Sequence, residues 1–437
     1  MKTNYEVAMK KAFRVEKSNL ADRRKFVYWV VVGIATAALL FPSAAIVQPQ
    51  VNRHPAEIRG VWITNVASGV LFSPWGINRA LQQLHQLNFN TIYPVAWNRG
   101  HTFYPSRVAQ RVIGRNQESL LKLTHPGKDI LALMVKQGHR QGLRVIPWFE
   151  YGFLAPANSQ LAKLHPDWIT KTKDRSEIVE EVPEEVEVAN SPPSNLQTSS
   201  QKFLESIRAG LSINNLWLNP FHPEVQNFLR ELILEVVIAY DVDGIQLDDH
   251  FGLPVEFGYD SYTIELYQQE HQGKSPPDNP QDPEWMRWRA GKITKFMQEI
   301  SQAIKTVKPD LIVSISPNPY GFAYNNYLQD WQTWVQQGLI DELVLQVYRD
   351  DLNSFIPELG QPPVQSARSK IPVAIGISSG TIQRPVAIDN IKLQVEAVRS
   401  RNFSGVSFFY WESLWSYLTP ESPQQRRSAF QELFSSS

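Results

Sequence analysis

From Ile58 onward the apolar positions follow two alternating rhythms. Short runs rich in β-branched and aromatic residues are followed by longer stretches with apolar residues three and four apart, the signature of strands alternating with amphipathic helices in a parallel sheet. The pattern predicts eight strands, beginning with Ile58 to Asn65, Asn90 to Asn98, Arg144 to Tyr151 and Asp243 to Phe251. The second half adds Leu311 to Asn318, Leu343 to Arg349, Pro372 to Ser379 and Gly405 to Trp411. Between them, helices are predicted over Trp75 to Leu87, Asp129 to Gln141, Pro223 to Tyr240, Trp285 to Val307, Asp330 to Gln337 and Ala387 to Ser400. Eight such units close most simply into a ring, so the expected fold is an α/β (β/α)8 TIM barrel over residues 57–437, with long βα-loop insertions. No glycine-rich dinucleotide loop follows the first strand, which argues against an open Rossmann sheet.

Two connections break the rhythm. Tyr151 to Asn219 follows the third strand, and its middle, residues 171–201, is rich in Glu, Pro and Ser with few large apolar side chains. Such composition buries too little apolar surface to order itself, which predicts a mobile surface insertion over Glu177 to Gln201 whose glutamates form a solvated charge run. Pro254 to Glu284, carrying Pro276, Pro277, Pro280 and Pro283, is expected to wall a cleft.

Ahead of the barrel, Arg23, Arg24 and Lys25 precede an apolar run from Phe26 through Phe41, followed by Pro42, Ser43, Ala44 and Ala45. A positive flank, an apolar stretch and small residues form the layout of a secretory signal. Counted through Val47, the run approaches the roughly 20 apolar residues that span a bilayer, so a single uncleaved anchor competes with a cleaved signal. Residues 1–47 are therefore expected to be signal peptide or membrane anchor and 48–56 a linker, with the bulk of the chain exported and any membrane association made through this segment.

Formal charge is zero, with 43 basic and 43 acidic residues, so the positive excess that nucleic-acid binding exploits is missing. There is no cysteine, which removes disulfides, thiolate metal ligands and cysteine nucleophiles. Thirteen tryptophans (13 Trp) are present, and flat rings of this kind stack on the apolar faces of sugars as readily as they fill cores.

Barrel active sites lie where strands end and βα loops begin. The fourth strand reads DGIQLDDHF. If Ile245 and Leu247 face the outer helices, alternation turns Gln246 and Asp248 toward the axis, with Asp248 at the mouth and Asp249 and His250 continuing into the loop. Adjacent carboxylates ending an apolar strand invite perturbed pKa values. Glu150 ends the third strand with inward parity. Glu412 ends the eighth between Trp411 and Trp415, with outward parity unless the chain bends at the rim. Asp350 follows QVYR on the sixth strand. Each of these three competes with a structural ion pair or loop contact, as Asp248 does with a capping role. Two carboxyls suffice for glycoside hydrolysis, one protonating the leaving oxygen and one attacking or activating water. Trp97, Tyr104, Trp148, Tyr151, Phe251, Tyr320, Tyr348 and Trp411 fall at strand exits where a sugar platform would be wanted, and Asn318 and His250 are further candidate substrate contacts.

The runs EIRGVWITN (Glu57 to Asn65), HPDWIT (His165 to Thr170), WLNPFHPEV (Trp217 to Val225), YDVDGIQLDDHF (Tyr240 to Phe251) and GVSFFYWESLW (Gly405 to Trp415) resemble the glycosyl-hydrolase-like ten family. The resemblance implies a barrel, exported or lipid-anchored in bacterial members, some of them implicated in cleaving peptidoglycan glycan strands. It also implies that Asp248 occupies the nucleophile position of related alpha-amylase-type barrels, with Asp249, Glu150 and Glu412 as the remaining active-site carboxylates. The chain departs from many relatives at the end of the second strand, where Pro94, Val95, Ala96 and Trp97 replace a Gln-Val-Arg-Pro pattern and Arg99 is displaced.

The expected function is hydrolysis of a cell-envelope or extracellular oligosaccharide or polysaccharide, with neither cofactor nor metal; the alternative is a barrel that binds glycan without cleaving it. A metal-dependent barrel hydrolase is disfavoured, because the first strand lacks a His-x-His pair and the chain has no HExxH.

Overall fold

In a computed structural model the described residues are 51–435 except 67, 74, 180–214, 382–383 and 416–418. Eight parallel strands form a closed ring: β1 (Ile58–Ile63), β2 (Thr91–Asn98), β3 (Arg144–Val145 continued by Trp148–Phe149), β4 (Gly244–Asp248), β5 (Ile312–Ser316), β6 (Glu342–Gln346), β7 (Val373–Ser378) and β8 (Gly405–Phe409). β1 pairs with β2 on one side and with β8 on the other, from Ile58↔Gly405 to Val61↔Phe408, and this closes the barrel. Closure requires glycine at 405: its φ is +134°, and a Cβ there would lie 2.1 Å from the Ile58 carbonyl oxygen. β3 is interrupted at Ile146 and Pro147, where proline has no N–H for the ladder.

The predicted helices are present as Gly76–Gln86, Ile130–Arg140, Pro223–Ala239, Pro283–Val307, Trp331–Gln336 and Ile388–Arg399. Pro223–Ala239 shows how the sequence specifies one. His222 caps it by accepting from Glu224 N, Pro223 starts it, and Val225, Phe228, Leu229, Leu232, Ile233, Val236 and Val237 recur on one face and are buried.

The connection after β3 contains a small antiparallel sheet that the sequence reading did not anticipate: Leu154–Pro156 pairs with Asn215–Trp217, which pairs with Ile178–Val179. The front of the expected insertion is therefore strand, and the rest of Glu177 to Gln201, from Glu180 on, lies outside the described residues. So does the whole candidate signal or anchor, residues 1–47. Among the described residues no helix is long and apolar enough to cross a membrane.

Candidate active site

Alternation along the strands sorts the barrel interior into layers. In the middle layer, Gln246 of β4 accepts from Trp62 Nε1 of β1 at 2.7 Å and donates to Ser314 Oγ of β5 at 3.0 Å, so the expected inward parity of β4 holds. Two residues further on, Asp248 is 1% exposed at the mouth. One of its oxygens accepts from Tyr151 N at 2.9 Å and the other from His250 N at 3.0 Å. Burial pushes the Asp248 carboxyl up, and the neighbouring His250 pulls it back.

His250 sits between two carboxylates, its Nδ1 2.9 Å from Asp249 Oδ1 and 3.6 Å from Asp248 Oδ2. Burial disfavours the charged ring, but Asp249 and Asp248 outweigh it and hold the imidazole well above its ordinary pKa. Asp249 also accepts from Asn318 Nδ2 at 2.8 Å. The ring of His250 lies between Tyr151 at 4.4 Å and Trp217 at 5.7 Å, centroid to centroid.

Asp248, Asp249 and His250 place one ligand atom each within 4.8 Å of one another, a spacing that could hold a metal ion. With His250 favouring its protonated form, a metal would have to displace that proton, and the imidazolium already supplies a positive charge to the two carboxylates.

Glu150 follows β3. Register on β3 and β4 pairs Trp148 with Gln246, so Glu150 and Asp248, each two residues on, end their strands at the same level. Glu150 Oε2 accepts from Thr64 Oγ1 at 2.8 Å and from Asn98 Nδ2 at 2.7 Å. Burial is the largest influence on it, Asp248 adds repulsion, and its pKa is pushed up to about 8. Arg99 pulls the other way, with its guanidinium 4.5 Å over the Tyr151 ring. Arg99 and Tyr151 have φ of +47° and +53°, left-handed values uncommon outside glycine, at the exits of β2 and β3.

Glu412 does not continue the β8 strand. The chain turns into the short helix Trp411–Trp415, and Glu412 in its first turn accepts from Ser68 Oγ and, at 3.0 Å, from Val70 N. The bend foreseen as a condition for Glu412 to reach the rim is thus present. Burial raises its pKa. Asp350 is exposed, and its carbonyl oxygen accepts from Asn390.

The candidate aromatics divide. Trp148 is buried inside the mouth, 6.2 Å from Trp62 and 6.4 Å from Phe409, and its Nε1 has no hydrogen-bond partner among the described residues. Tyr348 stacks on Phe409 at 5.6 Å, and Trp411 is half-buried beside it in sequence. Trp97 and Tyr104 are elsewhere, which corrects their expected place in the substrate cleft. Trp97 lies edge-on to Phe228 and donates to the Gly152 carbonyl, and Tyr104 donates to the carbonyl of Leu232. Both therefore pack against helix Pro223–Ala239 outside the barrel. For Trp97 the cause is a β-bulge: Val95 pairs with Trp148 but Trp97 pairs with Phe149, so the extra residue Ala96 inverts the alternation, sending Trp97 out and Asn98 in. Phe251 likewise faces outward, against Phe153, Phe296 and Trp334. Tyr320 donates to Asp330 in the loop after β5.

Thr64, Asn98, Trp217 and Tyr327, whose ring lies 6.1 Å from His250 and 6.0 Å from Trp217, escaped the sequence reading. Thr64 could have been found by extending to neutral polar residues the alternation that places Trp62 inside. Asn98 is hidden by the bulge, and Trp217 arrives from a strand of the insertion.

Comparison with known proteins agrees with this architecture. Relatives include the glycosyl hydrolase DigH of Escherichia coli, 24% identical over 366 residues covering 70% of this chain and 70% of that protein. The glycosyl hydrolase YngK of Bacillus subtilis is 24% identical over 359 residues, 74% of this chain and 59% of that protein. Among solved structures, the PgaB (BpsB) glycoside hydrolase domain from Bordetella bronchiseptica superposes with a TM-score of 0.56 at 12% identity, over 86% of this chain and 99% of that one. The alpha-L-fucosidase isoenzyme 2 from Paenibacillus thiaminolyticus gives 0.56 at 13% identity, over 87% of this chain and 49% of that one. At such identity these likenesses speak for the TIM-barrel fold. The profile of the family described as Glycosyl hydrolase-like 10 matches residues 57–186 and 176–396, and the chain belongs to that family.

Proposed function

We propose that the chain is a glycoside hydrolase acting on an oligosaccharide or polysaccharide of the cell envelope or the extracellular space, peptidoglycan glycan strands included. One observation carries the reading: Asp248 ends β4 and Glu150 directly follows the neighbouring β3, both buried at the mouth and held by different partners. Among the described residues Glu150 is hydrogen-bonded by the neutral donors Thr64 and Asn98, and it favours its protonated form at neutral pH. Asp248 is met by two backbone amides and an imidazole that favours its charged form.

In the proposed mechanism Glu150 gives its proton to the glycosidic oxygen as the bond to the anomeric carbon breaks, while the Asp248 carboxylate attacks that carbon or stabilises its positive charge. Glu150, now a carboxylate, takes a proton from the water that completes hydrolysis. Asp249 holds His250, and Asn318 in turn holds Asp249. Tyr348 and Trp411 supply aromatic surface beside the mouth. Catalysis at an envelope glycan requires export, which the arginine-flanked apolar segment before the barrel would supply.

The purified protein should be incubated with peptidoglycan strands, stripped and unstripped, and with α- and β-glucans, and the products weighed by mass spectrometry. The reading expects shortened saccharides from one of these classes, lost in Asp248→Asn with ligand affinity broadly kept. The second reading, a non-catalytic glycan-binding barrel, is favoured by the near-complete burial of Glu150 and Asp248. It expects glycan binding with no product from any substrate.

A further inference from the structure

The segment leaving β1 is tied at both ends to carboxyl groups. At its start, Thr64 Oγ1 donates to Glu150 and accepts from Val66 N at 3.0 Å. Asn65 Oδ1 accepts from Asn98 Nδ2 at 2.8 Å, and the same amide group donates to Glu150. At its other end Ser68 and Val70 both donate to a single oxygen, Glu412 Oε1. The second oxygen, Oε2, is sealed from solvent and has no hydrogen-bond partner among the described residues. One oxygen of Glu412 is thus committed to the β1 loop and the other is enclosed, which is poor placement for handing a proton to a substrate.

We propose that Glu412 is a positioning residue: it clamps the β1 loop from the end of β8, and the clamped loop fixes Thr64 and Asn65, which in turn fix the donors on Glu150. The inference rests on the reading of Glu150 as the acid. It takes Glu412 out of the candidate catalytic carboxyls and makes it the group that keeps the surroundings of Glu150 closed. Its position suits that task, because β8 is the strand beside β1 and a loop leaving β1 can be gripped from there without entering the cleft. Burial is the largest influence on Glu150, so release of the loop would admit water and let its carboxyl fall toward the ordinary carboxylate range.

The full-length protein, with its glutamate side-chain carboxyls labelled for NMR, provides the test, the Glu150→Gln spectrum identifying the Glu150 signal. Glu412→Gln retains an acceptor oxygen for Ser68 and Val70, and Glu412→Leu removes it. In Glu412→Gln the Glu150 midpoint stays at its wild-type value, and in Glu412→Leu it moves by about one pH unit or more. On a substrate that is turned over, the alkaline limb of the pH profile moves with it and kcat falls about tenfold with KM little changed. Should Glu412→Leu fail to fold, Ser68→Ala removes one donor from the opposite side, with a smaller shift in the same direction. A Glu150 midpoint unmoved in every folded variant overturns the proposal, as does loss of turnover in Glu412→Gln with that midpoint unchanged. The titration needs no substrate, so failure of the hydrolase reading and failure of this coupling are separable.

Discussion

The two ends of the barrel interior both bury carboxyl groups, and they treat them in opposite ways. Toward the strand N-termini, Glu342 meets Arg144 at 2.7 Å, with side chains 3% and 2% exposed, and accepts from Tyr93 OH and Ser314 Oγ. Asp243, just before β4, takes hydrogen bonds from Val145 N, Arg53 Nε and His139 Nε2. Burial works against its charge, yet these partners hold its pKa below the ordinary value. At the opposite end Glu150 is equally buried and, among the described residues, takes its hydrogen bonds from the neutral Thr64 and Asn98, so its pKa rises instead of falling. Burial alone therefore does not decide which way a carboxyl shifts; the groups that meet it do.

The contrast breaks most readily where it is largest. Glu150→Gln should lower turnover by about 10²- to 10⁴-fold while the protein stays folded, measured by product formation beside a melting curve; turnover close to wild type would remove Glu150 from the chemistry. At the other end, Arg144→Met strands a buried carboxylate and should destabilise the fold by about 3–5 kcal/mol in denaturant titrations. Adding Glu342→Leu should restore much of that loss, since the pair is replaced by apolar volume.

The pH dependences have opposite signs. Glu150 has a folded pKa above its ordinary value, so the stability it contributes is present in full below pH 4.5 and is lost as pH rises through about 8. Asp243 has a depressed folded pKa, so its contribution is present above pH 3.8 and is lost as acid drives the folded group to protonate. Denaturation measured across pH should show Glu150→Gln flattening the alkaline decline and Asp243→Asn flattening the acid one. The smallest expected effect is that of Tyr104→Phe, which removes one buried hydrogen bond to Leu232 and should cost about 1 kcal/mol with kinetic constants unchanged; altered KM would return Tyr104 to the cleft.

How much of this was legible in the chain depended on how local the signal was. Strand and helix order followed from periodicity because each element carries its own pattern, and the inward parity of Gln246 and Asp248 needed only an unbroken strand. Trp97 was misplaced because a single extra residue, Ala96, reverses alternation near the end of β2, and one residue leaves no mark on composition; Tyr104 lies beyond the strand, where alternation says nothing. The Arg144–Glu342 pair joins strands distant in sequence, so neither residue announced its partner. The position of Glu412 just past β8 could be read from the chain, but that its acceptor oxygen is spent on Ser68 and Val70 depends on how the loops pack. The sheet around Leu154–Pro156 escaped because strands of two or three residues are too short for periodicity to register.

The central claim is that the mouth carboxyl on β3 carries a proton when the solution is neutral. Infrared difference spectroscopy of wild type against Glu150→Gln tests it without any assumption about substrate. The account predicts a protonated-carboxyl band at neutral pH that is absent in the variant and disappears from wild type as pH passes about 8. A wild-type spectrum in which that group is already fully ionised at neutral pH would contradict it.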